Sequence, residues 1–486
     1  MDKRFKKNIL KGSAATSIGT VSGMVFQFLT VMVMTRYVPK DDLGIYFLVI
    51  VIVNMFNILG GLGVELTMVK LIASDNSEES LDALIPVLVL RGFGCILFGG
   101  AFIIAGRFVL HFFDDRIYQY IWYILAIFVL ANYRDLFYNL MQGLKQFKQY
   151  SIVNVVSSAF RIILVLVFIF LVNLNLRSLL SIEILATAQP LLHQLFVIPF
   201  KKYIKVKPTF ITFKRIIKFS IPLYLNNLVV FLNGRAQIFI IGAYLNPASI
   251  ANFSVATKVP MALIKIFRSF IVVYFPNLAK LFSDGDKKSA INLIEKSLGV
   301  FSIFATFMIL FSFFFRRELT VLMFSARYEE ISLAFALLIL RFFMRGVSAL
   351  IGYPFIPAGY PSIPTKINTV ASLISVGLSF LMIPIYGYMG AVYALLIMNI
   401  ASSVLFILAS RRYEINPRIK SFMKPTILFL AIPFSFLFTG AISFWVNLVL
   451  FIICLVLGWF ISDEFKSVIR LVLSFLKKRE WQKYSV

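Results

Sequence analysis

Thr35-Arg36-Tyr37-Val38-Pro39-Lys40-Asp41-Asp42-Leu43-Gly44-Ile45-Tyr46-Phe47 is a short charged turn set between two long apolar runs. The run before it, 14–35, carries no charge, and the run after it, 43–69, carries only Glu65. Each run reaches the roughly 20 residues that a helix needs to cross hydrocarbon, so the turn reads as a connection at a membrane surface. The same alternation continues to the end of the chain. Of its 486 residues, 60% are hydrophobic and 14% charged, against the roughly 25% charged of an ordinary soluble domain. The first apolar run continues for a full span, which does not fit a cleavable leader.

Reading apolar runs between polar or Pro/Gly breaks predicts fourteen spans. They cover 14–35, 43–69, 83–106, 119–141, 150–172, 179–200, 219–244, 250–275, 292–315, 331–353, 365–383, 388–410, 425–442 and 445–462. An even count puts both termini on one side. The loops on that side hold 30 of the 48 Lys and Arg residues, the opposite loops hold 8, and ten lie inside spans. The positive-inside rule then places both termini and the basic 201–218 loop in the cytoplasm of a multi-pass inner-membrane protein. The net charge of +26 thus belongs mostly to loops facing anionic lipid, not to a nucleic-acid surface.

The opening turn has an echo. Gly242-Ala243-Tyr244-Leu245-Asn246-Pro247-Ala248-Ser249-Ile250-Ala251-Asn252-Phe253, after the seventh run, places Tyr37 on Tyr244, Leu43 on Ile250 and Tyr46 on Phe253. Phe113-Asp114-Asp115-Arg116 is echoed by Phe324-Ser325-Ala326-Arg327 at nearly the same offset. The pattern predicts an all-α polytopic fold of 14 transmembrane helices, with two six-helix lobes around a central cavity and two helices appended. The expected parts are an N-lobe at 1–200, a basic linker at 201–218, a C-lobe at 219–410, helices 13 and 14 at 425–462, and a basic tail at 463–486. Transporters built from parallel repeats hold substrate where the repeats meet and alternate their access.

The residues inside the spans suggest the cargo. Ten cations (Arg91, Arg134, Arg161, Arg235, Lys258, Lys265, Arg268, Lys296, Arg341, Arg345) face four acids (Glu65, Asp135, Glu183, Glu295). A charge at mid-bilayer costs about 2.5–3.5 kcal/mol on insertion scales, so such residues face a cavity, a partner or a substrate. Arg235 lies nine residues before Tyr244 and Lys258 eight after Ile250. At 1.5 Å per residue both sit about 12–14 Å deep. Lys265 and Arg268 continue the basic ladder toward the cytoplasm, where snorkelling to headgroups is the competing reading. Arg161, Arg341 and Arg345 form a second group of anion-binding candidates, with structural pairing, for example to Glu183 or Glu65, as the alternative for the group. Arg91 reads as an anchor and Arg134 as a partner of Asp135. A guanidinium fork suits a diphosphate. Gln27, Asn226, Asn227, Asn233 and Gln237 are candidates for sugar hydroxyls, although such residues also serve as interhelical glue. Glu65 and Glu183 are candidate ion-coupling groups.

Other chemistries find little support. Cys95, Cys454, His111 and His193 lack metal-ligand or disulfide spacing, no phosphate-binding Gly-rich loop is present, and no cofactor is expected. An integral-membrane glycosyltransferase or polymerase would need carboxylates on a sizeable outer loop, and the longest one here runs from Arg316 to Glu330.

Arg36 to Tyr46 resembles the stretch after the first helix of polysaccharide-export flippases. Ile383-Pro384-Ile385-Tyr386-Gly387-Tyr388-Met389-Gly390-Ala391-Val392-Tyr393-Ala394 is similar to their connection between spans 11 and 12, and Ser220-Ile221-Pro222-Leu223 through Ile241-Gly242 to the opening of their second half. These motifs, spread over residues 10–410, resemble the Wzx-type oligosaccharide flippases of the MOP superfamily. The resemblance implies translocation of undecaprenyl-diphosphate-linked oligosaccharide across the bacterial inner membrane, for O-antigen, capsule or exopolysaccharide. It implies a lipid-linked anionic oligosaccharide and membrane lipid as partners, beside a polysaccharide polymerase or chain-length regulator, and it implies no enzymatic activity. Relatives often carry an Asp near the middle of span 7, where this chain has Gln237. Two rivals share the superfamily. A multidrug cation antiporter should carry buried acids, but the interior favours bases. A lipid-linked peptidoglycan precursor flippase should carry arginines in span 1, which here has none.

Overall fold

The computed structural model describes residues 3–73, 83–111, 113–200, 210–413, 415–418, 426, 428–429, 431–432 and 442–461. Every regular element among them is helical. The α-helices are α1 Lys3–Tyr37, α2 Lys40–Gly61, α3 Val64–Ala73, α4 Leu84–His111, α5 Ile121–Gly143, α6 Phe147–Leu171, α7 Leu176–Val197 and α8 Phe210–Tyr244. They continue with α9 Pro247–Ala256, α10 Lys258–Ser283, α11 Lys287–Phe314, α12 Arg316–Phe324, α13 Ser332–Gly352, α14 Ser362–Tyr386, α15 Tyr388–Arg412 and α16 Ile442–Ile461.

Among the described residues, 10 helical segments are long and apolar enough to cross a bilayer. They overlap spans two to six and eight to twelve of the sequence count. The runs 14–35 and 219–244 lie on α1 and α8, and 445–462 lies on α16. Most of 425–442, the linker up to 209 and the tail from 462 fall outside the described residues. The expected count of fourteen is therefore not reached here. Large apolar side chains point outward from these segments: Phe170 and Ile104 are each 86% exposed and Phe196 is 89% exposed. In water such faces would be an aggregation hazard, and in a bilayer they meet lipid.

Local chemistry sets the helix ends. Pro39 precedes α2, whose first turn holds Asp41 and Asp42 against the positive end of its dipole. Asn175 and Ser178 cap α7 reciprocally. At α9, the Asn246 side chain accepts from the Ser249 amide at 3.0 Å and Pro247 takes the first helical position.

Two apolar runs that read as continuous in the sequence are broken in the structure. Run 43–69 divides at Leu62 and Gly63, which adopt φ of 50° and 70°. A Cβ on Gly63 would lie 2.6 Å from the Ser220 carbonyl oxygen and 2.8 Å from the Tyr224 amide of α8, so both conformation and space demand glycine. Run 250–275 divides at Thr257. Pro260 cannot donate to the Ala256 carbonyl and its ring crowds that group, which ends α9 and leaves Lys258 to begin α10.

The chain forms two compact units, Met1–Val255 and Ala256–Val486. In the first, α1 packs on α6, α5 on α7 and α3, and α8 on α2 and α3. The two echoing turns meet there: a Cβ on Gly44 would lie 1.8 Å from the Pro247 carbonyl oxygen. In the second unit, α13 packs against α10, α11 and α15, and α14 packs along α15. Its core is aromatic, with Phe301 5.6 Å from Phe342 and 6.1 Å from Phe343 between ring centres. Gly346 leaves the space that Phe301 fills, since a Cβ there would meet its ring at 1.9 Å.

Candidate functional site

In the first unit, three of the span cations, Arg91, Arg134 and Arg161, are matched by carboxylates. Arg161 on α6 forks onto Glu183 of α7, with Nη1 2.5 Å from Oε2 and Nη2 2.9 Å from Oε1. The Tyr46 hydroxyl, from the opening turn's far end, donates to Glu183 Oε2 at 2.8 Å. Thr187 adds a longer contact at 3.5 Å. Tyr46 and Glu183 are both buried. The carboxylate is saturated and the guanidinium's charge is neutralised in place.

A second network surrounds the α2–α3 break. Arg91 of α4 is fully buried, pairs with Glu65 in the first turn of α3, and donates to Asn132 Oδ1 at 2.8 Å. Gly61 makes room for this pair, because a Cβ there would lie 2.6 Å from Arg91 Nη1 and 2.9 Å from Glu65 Oε1. Nearby, Asp135 accepts from Asn57 Nδ2 at 2.6 Å and from Arg134 Nε at 2.8 Å. Glu65 and Glu183, the ion-coupling candidates, each carry an arginine partner.

The remaining candidates of this unit lie on α1 and α8. Gln27 is exposed, Asn227 half-buried and Gln237 buried. The side chains of Asn226 and Asn233 lie outside the described residues. Arg235 is half-buried and has no ion pair with a carboxylate among the described residues.

The second unit differs. Arg341 and Arg345 follow one another at helical spacing on α13, and Arg268 approaches from α10. Arg345 lies within electrostatic reach of Arg341, Arg268 and the Tyr353 phenol. Arg341 is 8% exposed, and its Nε is buried without a hydrogen-bond partner among the described residues. No ion pair joins these three guanidiniums to a carboxylate among the described residues. Glu295, the one span acid of this unit, instead accepts from the Arg418 backbone amide at 2.7 Å. Lys258 is half-buried at the break that begins α10, and Lys265 and Arg268 are exposed along the same helix. Of the pair expected at one depth, Arg235 belongs to the first unit and Lys258 to the second.

Such an arrangement costs stability. Burying a guanidinium carries a penalty of several kcal/mol that only a counter-charge offsets. Three cations gathered on two packed helices, with no ion-paired acid among the described residues, raise that cost further. Guanidinium forks of this kind have the geometry to hold carboxylate or phosphate oxygens. Among the described residues no group of His, Cys, Asp and Glu is placed to hold a metal ion.

Sequence reasoning missed Tyr46, Asn57 and Asn132 as ligands of buried charges. Tyr46 and Glu183 are 137 positions apart, and no local pattern links them.

Comparisons with known proteins agree with this architecture. The lipid II flippase MurJ in an inward-closed conformation superposes with a TM-score of 0.72 at 17% identity, covering 94% of this chain and 99% of that one. An inward-facing multidrug resistance MATE family transporter of the MOP superfamily gives 0.68 at 13% identity, over 81% of this chain and 94% of that one. Its family's outward-facing conformation gives 0.58 at 16% identity, over 83% and 96%. These likenesses establish that the chain shares the helical fold of those proteins. No curated protein matches the sequence. A family model described as "Polysaccharide biosynthesis protein" matches residues 9–282, more than half of the chain. The chain belongs to this polysaccharide biosynthesis protein family, on a helical membrane fold whose second unit gathers Arg268, Arg341 and Arg345 without a carboxylate ion pair among the described residues.

Proposed function

We propose that this protein is a flippase that carries undecaprenyl-diphosphate-linked oligosaccharide across the bacterial inner membrane by alternating access, for surface polysaccharide synthesis. The observation that carries the reading is Arg341. It is a buried guanidinium with Arg345 and Arg268 nearby and no described carboxylate to balance it. An anion that must enter, neutralise the cluster and leave again matches that design. The membership in a polysaccharide biosynthesis family supports a glycan as the cargo. A MOP-type fold supports transport rather than bond chemistry, so the protein acts without enzymatic turnover.

Arg341, Arg345 and Arg268 hold the diphosphate, with Arg235, Lys258 and Lys265 along its route. Arg161 supports the fold through Glu183 when the site is empty. Gln27, Asn226, Asn227, Asn233 and Gln237 meet the sugars, and the polyprenyl chain stays in lipid. Both termini face the cytoplasm, and a polymerase or chain-length regulator takes the product on the far side. The test is glycan export in cells lacking the endogenous flippase, with membrane protein level matched. Arg341→Gln with Arg345→Gln should abolish export, and so should Arg235→Ala with Lys258→Ala. Export unaffected by both double variants would sink the proposal. Rescue of cell-wall synthesis instead of glycan export would move the cargo to a peptidoglycan precursor.

A further inference from the structure

Arg134 and Asp135 of the first unit balance each other, with Arg134 Nη2 2.7 Å from Asp135 Oδ1, yet the pair stays open. Its side chains are 22% and 34% exposed, whereas the guanidinium of the Arg91–Glu65 pair is fully buried. Arg134 and Asp135 stand nine and eight residues before Gly143, the last residue of α5. At 1.5 Å per residue they lie about 12–14 Å from that end. The helix belongs to a segment long and apolar enough to cross a bilayer. Exposed charge at such depth faces a wet groove, because contact with hydrocarbon would penalise both groups. Neighbouring helices supply the sides of that groove. From α2, Asn57 donates to Asp135 Oδ2 at 2.6 Å. Asn54, one turn earlier, is half-buried and has no side-chain hydrogen bond among the described residues. From α6, the Tyr150 ring packs 5.2 Å from that of Tyr138, one turn after Asp135, and both are half-buried. The α5 pair thus lies between α2 on one side and α6 on the other.

A matched ion pair selects neither an anion nor a cation. It offers a neutral ligand donors and acceptors side by side. Asp135 engages the guanidinium at Nε and Nη2 and leaves other N–H groups of its fork, while the carboxylate keeps lone-pair positions beyond those used. The Asn54 and Asn57 amides, at i, i+3 spacing, extend this row of planar polar groups. Hydroxyls on adjacent carbons of a sugar ring present the complementary pattern, and the C–H face of the same ring is apolar and suits a tyrosine. We propose that this α2–α5–α6 groove is a sugar-binding subsite. It takes an uncharged, hydroxyl-rich ring on Arg134, Asp135, Asn54 and Asn57, with Tyr138 and Tyr150 beside the ring's C–H face. The assignment rests on the reading of the cargo as a glycan lipid and adds the place where one of its sugars is recognised. A site built to bond hydroxyls discriminates strongly against a ring that lacks them, because its own polar groups are then left unpaired. The groove therefore sets which glycan is accepted, while the arginines of the second unit hold the diphosphate.

The test uses the full-length protein in detergent and, as probe, the repeat-unit oligosaccharide of the producing strain's surface polysaccharide, freed of lipid and phosphate. Binding is read by saturation-transfer NMR at millimolar sugar, with glycerol as the control polyol. Asn54→Leu with Tyr138→Phe removes two hydrogen-bonding groups without breaking a described hydrogen bond, and should weaken sugar binding about tenfold. If Tyr138→Phe lowers the yield of folded protein, Asn54→Leu alone carries the test, with about a threefold loss expected. Arg341→Gln with Arg345→Gln should bind the free oligosaccharide as the parent does, even where it no longer exports glycan. That contrast separates the two readings: the subsite is judged on free sugar, and the diphosphate site on export. Selective loss in the Asn54/Tyr138 variant, with glycerol inert, supports the subsite. Unchanged binding in that variant would overturn it, as would a parent that gives no transfer to the oligosaccharide. Equal transfer to glycerol would also overturn it, by showing a wet groove that recognises no sugar.

Discussion

Glu183→Gln is the substitution that most directly separates a structural carboxylate from an ion-coupling one. In the structure Glu183 holds Arg161 through two bonds of 2.5 and 2.9 Å and accepts from Tyr46 at 2.8 Å. The amide keeps the shape and one acceptor but leaves the guanidinium without a counter-charge. Breaking one side of a buried pair costs about 3–5 kcal/mol. The Arg161 side chain is 24% exposed, so the lower end applies and the expected loss is about 3 kcal/mol. Arg161→Gln should cost a similar amount. The double variant, with two neutral side chains in the same space, should cost only about 1 kcal/mol, because both desolvated charges are gone. The assay is unfolding in mixed micelles, taken through the full double-mutant cycle. A Glu183→Gln variant as stable as the parent, or a double variant worse than either single, would refute the reasoning. Export in the double variant then separates the roles. Retained export makes Glu183 a counter-charge alone, and lost export at restored stability assigns it to ion coupling.

Arg341→Met should do the opposite of most core substitutions. Removing a buried charge that has no described partner should raise stability by about 1–3 kcal/mol while export falls, read by thermal melting beside glycan export. Gly63→Ala should cost about 2–4 kcal/mol and lower membrane protein levels, since φ 70° disfavours a Cβ and that atom would sit 2.6 Å from the Ser220 carbonyl oxygen. Asn175→Ala removes one half of the α7 capping box and should cost about 1 kcal/mol in the same unfolding assay.

The fold was legible where hydropathy and charge speak over long windows. Ten described segments overlap runs that the sequence delimits, and α2 begins just after the quoted Pro39. The breaks were not legible. A twenty-residue apolar average hides Leu62-Gly63 inside 43–69, although Gly60-Gly61-Leu62-Gly63 was in plain view, and it hides Pro260 inside 250–275. Charge pairing was legible only as a set of options. The sequence offered Glu183 or Glu65 as structural partners for the second group of arginines, Arg161, Arg341 and Arg345. Helix packing brings α6 onto α7, which gives Arg161 Glu183, and it leaves Glu65 at the α2–α3 break for Arg91. Tyr46 could not be assigned from its neighbours, because its partner arrives from another helix.

The ratio of ten span cations to four span acids has a sharper meaning once the acids are placed. Glu65, Asp135 and Glu183 all belong to the first unit and each holds an arginine of that unit: Arg91, Arg134 and Arg161. Glu295 belongs to the second unit and accepts from a backbone amide, Arg418 N, with no ion pair to a cation among the described residues. The charge excess is therefore not spread evenly along the chain. It is concentrated where Arg268, Arg341 and Arg345 gather, and Arg235 is the one arginine of the first unit's spans left without a described carboxylate. As helix anchors alone these cations would be a net cost, since each buried charge without a counter-charge costs several kcal/mol. Arg91, Arg134 and Arg161 of the first unit each have a carboxylate of their own, and the proposed function supplies the second unit's cluster with a counter-charge that comes and goes. A permanent acid at Arg341 would stabilise the protein and block the anion. Leu338→Glu, one turn before Arg341 on α13, supplies that acid. It should stop export in a protein that still reaches the membrane, and undiminished export would argue that the cluster binds nothing in transit.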